Sequence, residues 1–326
     1  MRSEAARARL RELSDFAAPW SVWVAATLRL ADHIEGGATG LDDLAQRAGA
    51  EPSALQRLLR HLVALGVFSE DGGTYANTDV SRLLMDEAGW RPWLDLDGAP
   101  AIWAESWTRL LEAIRTGSPG GRDDAWYYEE LARSGRAASF DALMAAQVRS
   151  NAEELAVRYV WASVEHVVDV GGGTGEMLRT LLAAHPHLRG TLVDLPQVVA
   201  EVEPVERLEV VAGSFFEDPL PRADAYLLSQ ILHGWPDQGA AHILRRCADA
   251  GGDHSRLLLV EGVIPERPSA GEASFDLFML TLSGGRQRTL NEFRRLAESV
   301  GLVLGSSQVL STGNSLVEFS RRPEGS

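Results

Sequence analysis

The chain of 326 residues contains no lysine; all 31 of its basic side chains are arginine. Without a primary side-chain amine, Schiff-base catalysis, pyridoxal phosphate anchoring and the lysine of a Walker phosphate loop are excluded. Cysteine is nearly absent too, Cys247 being the only one. One thiol forms neither an intramolecular disulfide nor a cysteine-cluster metal site, which fits a reducing cytoplasm, the expected location. No run of about 18 uncharged apolar residues occurs, so no membrane span is expected. The opening stretch MRSEAARARLREL is charged and periodic, without the apolar h-region of a secretory signal. Positive charge is in deficit: the formal net charge of −15 argues against nucleic acid as the main partner. The chain has no H-E-x-x-H, no H-x-x-E-H and no open cluster of carboxylates, so no metal is expected. It has no G-x-S-x-G elbow either, which argues against serine hydrolysis.

What is present suffices for a sizeable core. Hydrophobic residues make up 45% of the chain and charged residues 24%, ordinary values for one large domain or two smaller ones. The stretch LDDLAQRAGAEPSALQRLLRHLVALGVFSEDGGTYANTD shows helical periodicity twice, then two short extended pieces around Asp71-Gly72-Gly73. Helix, turn, helix and small wing form the winged-helix pattern, which often reads DNA. Residues 1–75 hold eight Arg against ten Asp and Glu, however, so the basic footprint of a DNA reader is missing. Packing or dimerisation is the expected role. Residues 91–160 read as helical and rich in tryptophan; Trp103 and Trp107, one helical turn apart, are expected as a core stripe.

From residue 166 onward, apolar strands alternate with helices, the pattern of a parallel sheet covered on both faces. The last two strands are joined only by STGNS, which permits an antiparallel pair and nothing else. The first strand, HVVDV, runs into Gly171-Gly172-Gly173-Thr174-Gly175-Glu176, and a helix follows. Such a loop aims backbone N–H groups at a ligand. The dinucleotide fingerprint requires glycine at position 176; Glu176 stands there instead and repels a pyrophosphate. The second strand ends in Asp194, where a carboxylate accepts both hydroxyls of a ribose. Together these features point to a nucleoside without phosphates and disfavour a nicotinamide dehydrogenase.

DVGGGTGE, VDLPQ, VVAGSFFEDPLP, LSQILHGWPDQGAAHILRRC, LLLVEGVI and SGGRQRTLNEFRRLAESVGL resemble, in that order, the motifs of S-adenosylmethionine-dependent small-molecule O-methyltransferases. The similarity is to the plant phenylpropanoid and bacterial polyketide group, and most of all to bacterial enzymes methylating hydroxynaphthoic or related hydroxyaryl acids. It implies an α/β architecture. A Rossmann-like class I methyltransferase domain over 161–326, mostly parallel with an antiparallel last strand, follows a winged-helix dimerisation domain over 1–95. Residues 96–160 then form a helical linker that contributes to the substrate pocket. The cofactor implied is S-adenosyl-L-methionine and the assembly a homodimer. Gly171 and Gly173 would pass its methionine part, Asp194 its ribose; Leu195 and Phe215 would sandwich the adenine, with Gly213, Ser214, Phe216 and Ser229 beside them. Met144 and Met279 would line the pocket of an aromatic hydroxylated acceptor, and Arg11 would pair with a carboxylate on it.

Methyl transfer to a phenol also needs a base, because a hydroxyl with a pKa near 10 is mostly protonated at neutral pH. His233, in ILHGWPD at the end of the strand AYLLSQ, supplies an imidazole where the ligand crevice of such a sheet opens. The family likeness makes His233 the general base and Glu261, in LLLVEGVI, the acid that orients it. At a second acidic position of the family this chain has Gln287, which hydrogen-bonds a ring without stabilising imidazolium. Gly234 replaces a frequent aspartate, and PQVVAEVEPVERLEV leaves little room for a helix after the second strand. The Gln287 departure keeps an alternative open: a relative that retains the cofactor but hydroxylates or cyclises its substrate.

Overall fold

A computed structural model describes residues 4–120, 122, 126–200 and 202–321. The chain divides into two compact units, Met1–Ile102 and Trp103–Ser326.

In the first unit, helices Glu4–Leu13, Ala17–Thr27, Leu30–Glu35, Leu41–Ala48 and Pro52–Ala64 precede a hairpin of β1 (Phe68–Asp71) and β2 (Thr74–Asn77). The helix at Pro52 starts where the sequence dictates. Pro52 fills the first turn and the Glu51 carboxylate accepts from the N–H groups of Ser53 and Ala54, at 3.0 and 2.7 Å. Its Leu55, Leu59 and Leu62 recur at helical spacing and are fully buried with Leu44, Phe68 and Tyr75. Gly72 and Gly73, both at positive φ, close the hairpin with Asp71 paired to Thr74. This is the helix–turn–helix–wing arrangement expected from the pattern.

In the second unit, helices Pro100–Ser106, Leu110–Thr116, Trp126–Arg133 and the long Ala137–Arg158 lead into the sheet, the first of them beginning just ahead of the boundary. Its strands are β3 (His166–Val170), β4 (Arg189–Asp194), β5 (Leu208–Ala212), β6 (Ala225–Ser229), β7 (Arg256–Glu261), β8 (Leu302–Val309) and β9 (Ser315–Arg321). Their order is β5-β4-β3-β6-β7-β9-β8, with β9 alone running opposite to the other strands. Strands β3, β4, β6 and β7 are buried on both faces because both are covered. Val168, Tyr226, Leu228, Leu257 and Leu259 pack on helix Asp237–Gly251, while Val167, Leu227, Leu258 and Val260 pack toward helices Glu176–Ala184 and Ala137–Arg158. Between β4 and β5 only Pro196–Val199 is helical among the described residues, as the short connection requires.

The chain leaves β3 first toward β4 and later toward β6. The strand order therefore reverses beside β3, and ligands of such sheets bind at the carboxyl ends next to that reversal. Glycine loop, Asp194, Gly213–Phe216, Ser229–His233 and Glu261 follow or end β3, β4, β5, β6 and β7 in turn. Five separate stretches of sequence thus meet at one edge.

Candidate active site

Gly171 and Gly173 adopt φ of +73° and +60°, which carries the loop across the end of β3. The Gly173 N–H donates to Asp194 Oδ2 at 2.8 Å and the Leu195 N–H to Oδ1 at 2.7 Å. Burial raises the Asp194 carboxyl above its ordinary value, against the pull of these two amide bonds. Beneath the loop lies a residue that received no role from the sequence, Asp169. It is 1% exposed, neither oxygen has a hydrogen-bond partner among the described residues, and burial, with Asp194 adding to it, pushes its carboxyl up to about 7. Its signal was available: a charge inside the apolar strand HVVDV. Gly172 passes so close that a Cβ there would meet the Asp169 carboxyl carbon at 2.6 Å.

Beyond β5, Gly213 N–H donates to the Asp194 carbonyl at 2.9 Å, and Ser214 is fixed by Asp218 Oδ2, which accepts from its N–H at 2.8 Å. The Ser214 hydroxyl accepts from the Phe216 N–H at 3.2 Å. The two rings touch, with centroids 4.9 Å apart, but reach different neighbours. Phe215 lies against the glycine loop, its Cε1 3.3 Å from where a Gly171 Cβ would stand. Phe216 packs edge-on to Trp235 with centroids 4.6 Å apart and stacks on His242 at 5.8 Å. Ser229 ends β6 with its hydroxyl buried and, among the described residues, unpartnered. This lining suits S-adenosylmethionine: acids beside the loop, an acid opening the next helix and a flat apolar ring fit a ligand with positive charge, a purine and no phosphate. Gly171, Gly173, Asp194, Leu195, Phe215 and Ser229 would hold it.

His233 rides a single 3₁₀ turn, Leu232–Gly234, directly after β6. Its Nδ1 is 2.8 Å from Glu261 Oε2, and the other oxygen, Oε1, accepts from the Leu232 N–H at 2.6 Å. Glu261 is fully buried; the imidazole retains some exposure, with its side chain 15% accessible. A carboxylate at Nδ1 selects the tautomer that leaves a lone pair on Nε2, to which no group is bonded among the described residues. Gln287 behaves differently from the expectation that it reaches the ring. It is 4% exposed, its N–H donates to Asp276 Oδ1 at 2.7 Å, and among the described residues no hydrogen bond joins it to His233. Its Oε1 faces the turn after β7 instead, 2.8 Å from where a Cβ on Gly262 would be.

An aromatic wall continues from the imidazole. The Phe275 ring is 6.0 Å from His233 and 5.9 Å from Phe278, which meets Trp107 face-on at 6.2 Å and Trp103 edge-on at 6.0 Å. Trp103 is the core residue that its helical spacing implied, 9% exposed with Nε1 donating to Tyr127 Oη at 2.8 Å. Trp107 is 38% exposed because the helix tightens to 3₁₀ after Ser106, so the core stripe is only half realised. Met279 is buried on helix Ala270–Ser283 and Met144 half-buried on Ala137–Arg158. Arg11 is exposed on a helix of the first unit. Of the other histidines, His166 bonds the Thr191 hydroxyl, and His185 and His187 bond backbone carbonyls. Among the described residues no group of three or more His, Cys, Asp or Glu is placed to hold a metal, and no helix is long and apolar enough to cross a membrane.

Comparison with known proteins places the chain in a family. An O-methyltransferase domain model matches residues 107–303 and an O-methyltransferase dimerisation domain model residues 10–87. The chain belongs to the S-adenosylmethionine-dependent O-methyltransferases. The enzyme is 42% identical over 325 residues to the 2,7-dihydroxy-5-methyl-1-naphthoate 7-O-methyltransferase of Streptomyces carzinostaticus, covering 95% of this chain and 97% of the relative. It is 40% identical over 330 residues to aclacinomycin 10-hydroxylase RdmB of Streptomyces purpurascens, covering 95% and 88%. Among solved structures, an O-methyltransferase of neocarzinostatin biosynthesis, NcsB1, in complex with S-adenosylmethionine and 2-hydroxy-5-methyl naphthoic acid, is similar with a TM-score of 0.87. The identity is 40% over 96% of this chain and 98% of that one. S-Adenosylmethionine is accordingly the enzyme's cofactor.

Proposed function

We propose that the enzyme methylates a phenolic hydroxyl of an aromatic polyketide-type acceptor, a hydroxynaphthoic or related hydroxyaryl acid, in secondary metabolism, with His233 as general base. The observation that carries the base is the His233–Glu261 pair beside the strand ends that hold the glycine loop. When bound, the cofactor supplies a methyl group on a cationic sulfur. His233 Nε2 takes the phenol's proton, which is needed because the neutral hydroxyl is a poor nucleophile. Glu261 holds Nδ1, keeps the ring in the required tautomer and stabilises the imidazolium formed. Phe275, Phe278 and Trp107 offer flat apolar surface to a bicyclic acceptor. Both the naphthoate enzyme's name and the naphthoic acid in the neocarzinostatin structure support this acceptor class.

The dimerisation domain and the exposed Leu10, Leu13, Phe16 and Trp20 at its N-terminal end support a homodimer in which the partner covers these side chains. A second reading, hydroxylation with the cofactor retained, is favoured by the kinship with aclacinomycin 10-hydroxylase. A buried carboxylate orienting a base supports methylation over it. The test is incubation with S-adenosylmethionine and a panel of hydroxynaphthoic acids, read by mass spectrometry. A product heavier by one methylene is expected. A product heavier by one oxygen, or no product while S-adenosylhomocysteine binds tightly, would replace methylation by the second reading.

A further inference from the structure

The loop that carries His233 is held by a residue far away in sequence. Arg288 is 1% exposed, and its guanidinium faces residues 232–237. Nη1 donates to the Leu232 carbonyl at 2.8 Å, and Nη2 donates to the Trp235 carbonyl at 2.9 Å. Nε and Nη2 both donate to Asp237 Oδ1, at 3.0 and 2.8 Å. The neighbouring backbone completes the seam: the Arg286 N–H donates to the His233 carbonyl at 2.9 Å. Gly285 packs so tightly there that a Cβ would run into the same carbonyl and the start of Trp235. Three carbonyls of ILHGWPD are thus accounted for by residues 286–288, while the Leu232 N–H is taken by Glu261.

We infer that Arg288, with Asp237 as its counter-ion, is a positioning residue that sets the aim of the His233 imidazole. The inference rests on the reading of His233 as base. Two points of chemistry favour positioning over mere packing. Burying a guanidinium is costly, and burial indeed lowers its pKa, with Asp237 opposing the effect. A single 3₁₀ turn, in addition, has too few internal hydrogen bonds to hold a side chain in one direction. The planar fork reaches two carbonyls and a carboxylate at once, which a point-charge ammonium on a flexible stem does not. Arg288 touches no reacting atom; it acts through the backbone on either side of His233.

The test uses full-length Arg288→Lys, Arg288→Ala and Asp237→Asn proteins, with His233→Ala alongside. Affinity for S-adenosylhomocysteine, measured by calorimetry, should stay within about threefold in all of them. Steady-state kinetics with a turned-over hydroxyaryl acid should show kcat lowered about 10–100-fold in Arg288→Lys, the scale of a small misplacement of a reacting group. KM for the acceptor should change little, and Asp237→Asn should lie between wild type and Arg288→Lys. The pH profile of kcat should change in the same limb that His233→Ala abolishes, and millimolar guanidinium should restore part of the rate of Arg288→Ala. Wild-type kcat and pH profile in Arg288→Lys and Asp237→Asn, with His233→Ala slow, would overturn the positioning role and leave the base in place. Wild-type rate in His233→Ala would instead sink the base and this inference with it. Should Arg288→Ala fail to fold, Asp237→Asn decides: its Asp237 side chain is more than half exposed, so the substitution buries nothing new.

Discussion

His233 and Glu261 come from the ends of adjacent strands, β6 and β7, and meet at 2.8 Å although 28 residues separate them. The carboxylate is buried and shared with the Leu232 N–H, so its geometry is fixed before any ligand arrives. His233→Ala should lower methyl transfer by about 10²–10⁴-fold, the usual scale of a general base. Cofactor affinity should be nearly unchanged. Glu261→Gln keeps the shape but offers Nδ1 an amide, and should cost a substantial part of the same factor through the wrong tautomer. A His233→Ala enzyme that methylates at wild-type rate at pH 7 would make the histidine structural.

Asp194 offers a separate handle on the cofactor. Its two oxygens already accept from Gly173 and Leu195, so Asp194→Ala removes both a ligand partner and a brace of the loop. A charge-assisted hydrogen bond contributes about 1.5–3 kcal/mol, hence a loss of tens of fold or more in affinity. Calorimetry with S-adenosylhomocysteine checks this, and an unchanged Kd would remove Asp194 from the site.

Association should be broken from the first unit alone. Leu13 and Phe16 are 66% and 78% exposed, an arrangement that water disfavours and a second copy relieves. Wild-type protein should scatter light as a dimer at micromolar concentration, and Leu13→Glu with Phe16→Glu should shift it toward monomer. A wild-type monomer under those conditions would defeat the expectation.

How far the sequence carried these conclusions depended on the range of the interaction. The apolar strands, the antiparallel last pair and the winged helix were legible because periodicity and turn residues are local signals. His233 was legible because it stands where the ligand crevice of the sheet opens, and Glu261 because the family likeness marks its position in LLLVEGVI. Arg288 was not: its partners lie around 50 residues away, and one arginine among 31 carries no mark of burial. Trp107 was misjudged for a local reason, since the tightening of the helix after Ser106 leaves the apolar spacing unaltered. Gln287 illustrates the opposite limit. The motif placed it next to the base's neighbourhood, but its side chain turns toward Gly262.

Asp169 makes the pH dependence of stability a test of the loop's electrostatics. Burial raises its carboxyl from the ordinary 3.8 to about 7, so the folded protein holds a proton that the unfolded chain has already lost between those values. Its contribution to stability is therefore complete below about pH 4 and is lost as pH rises toward 7. At about 1.4 kcal/mol for each of about three pH units, the total is about 4 kcal/mol. Above pH 7 the native state carries an unpartnered charge beneath Gly172. Asp169→Asn has nearly the same shape and does not titrate. Relative to wild type, the variant should gain stability steadily from pH 5 to pH 8, with most of the gain reached near neutrality. Titrating groups distant from Asp169 cancel in the difference, and the coupled Asp194 titrates with it. Thermal melts across that range measure it directly, and parallel curves for the two proteins would mean that the Asp169 carboxyl finds a partner on folding.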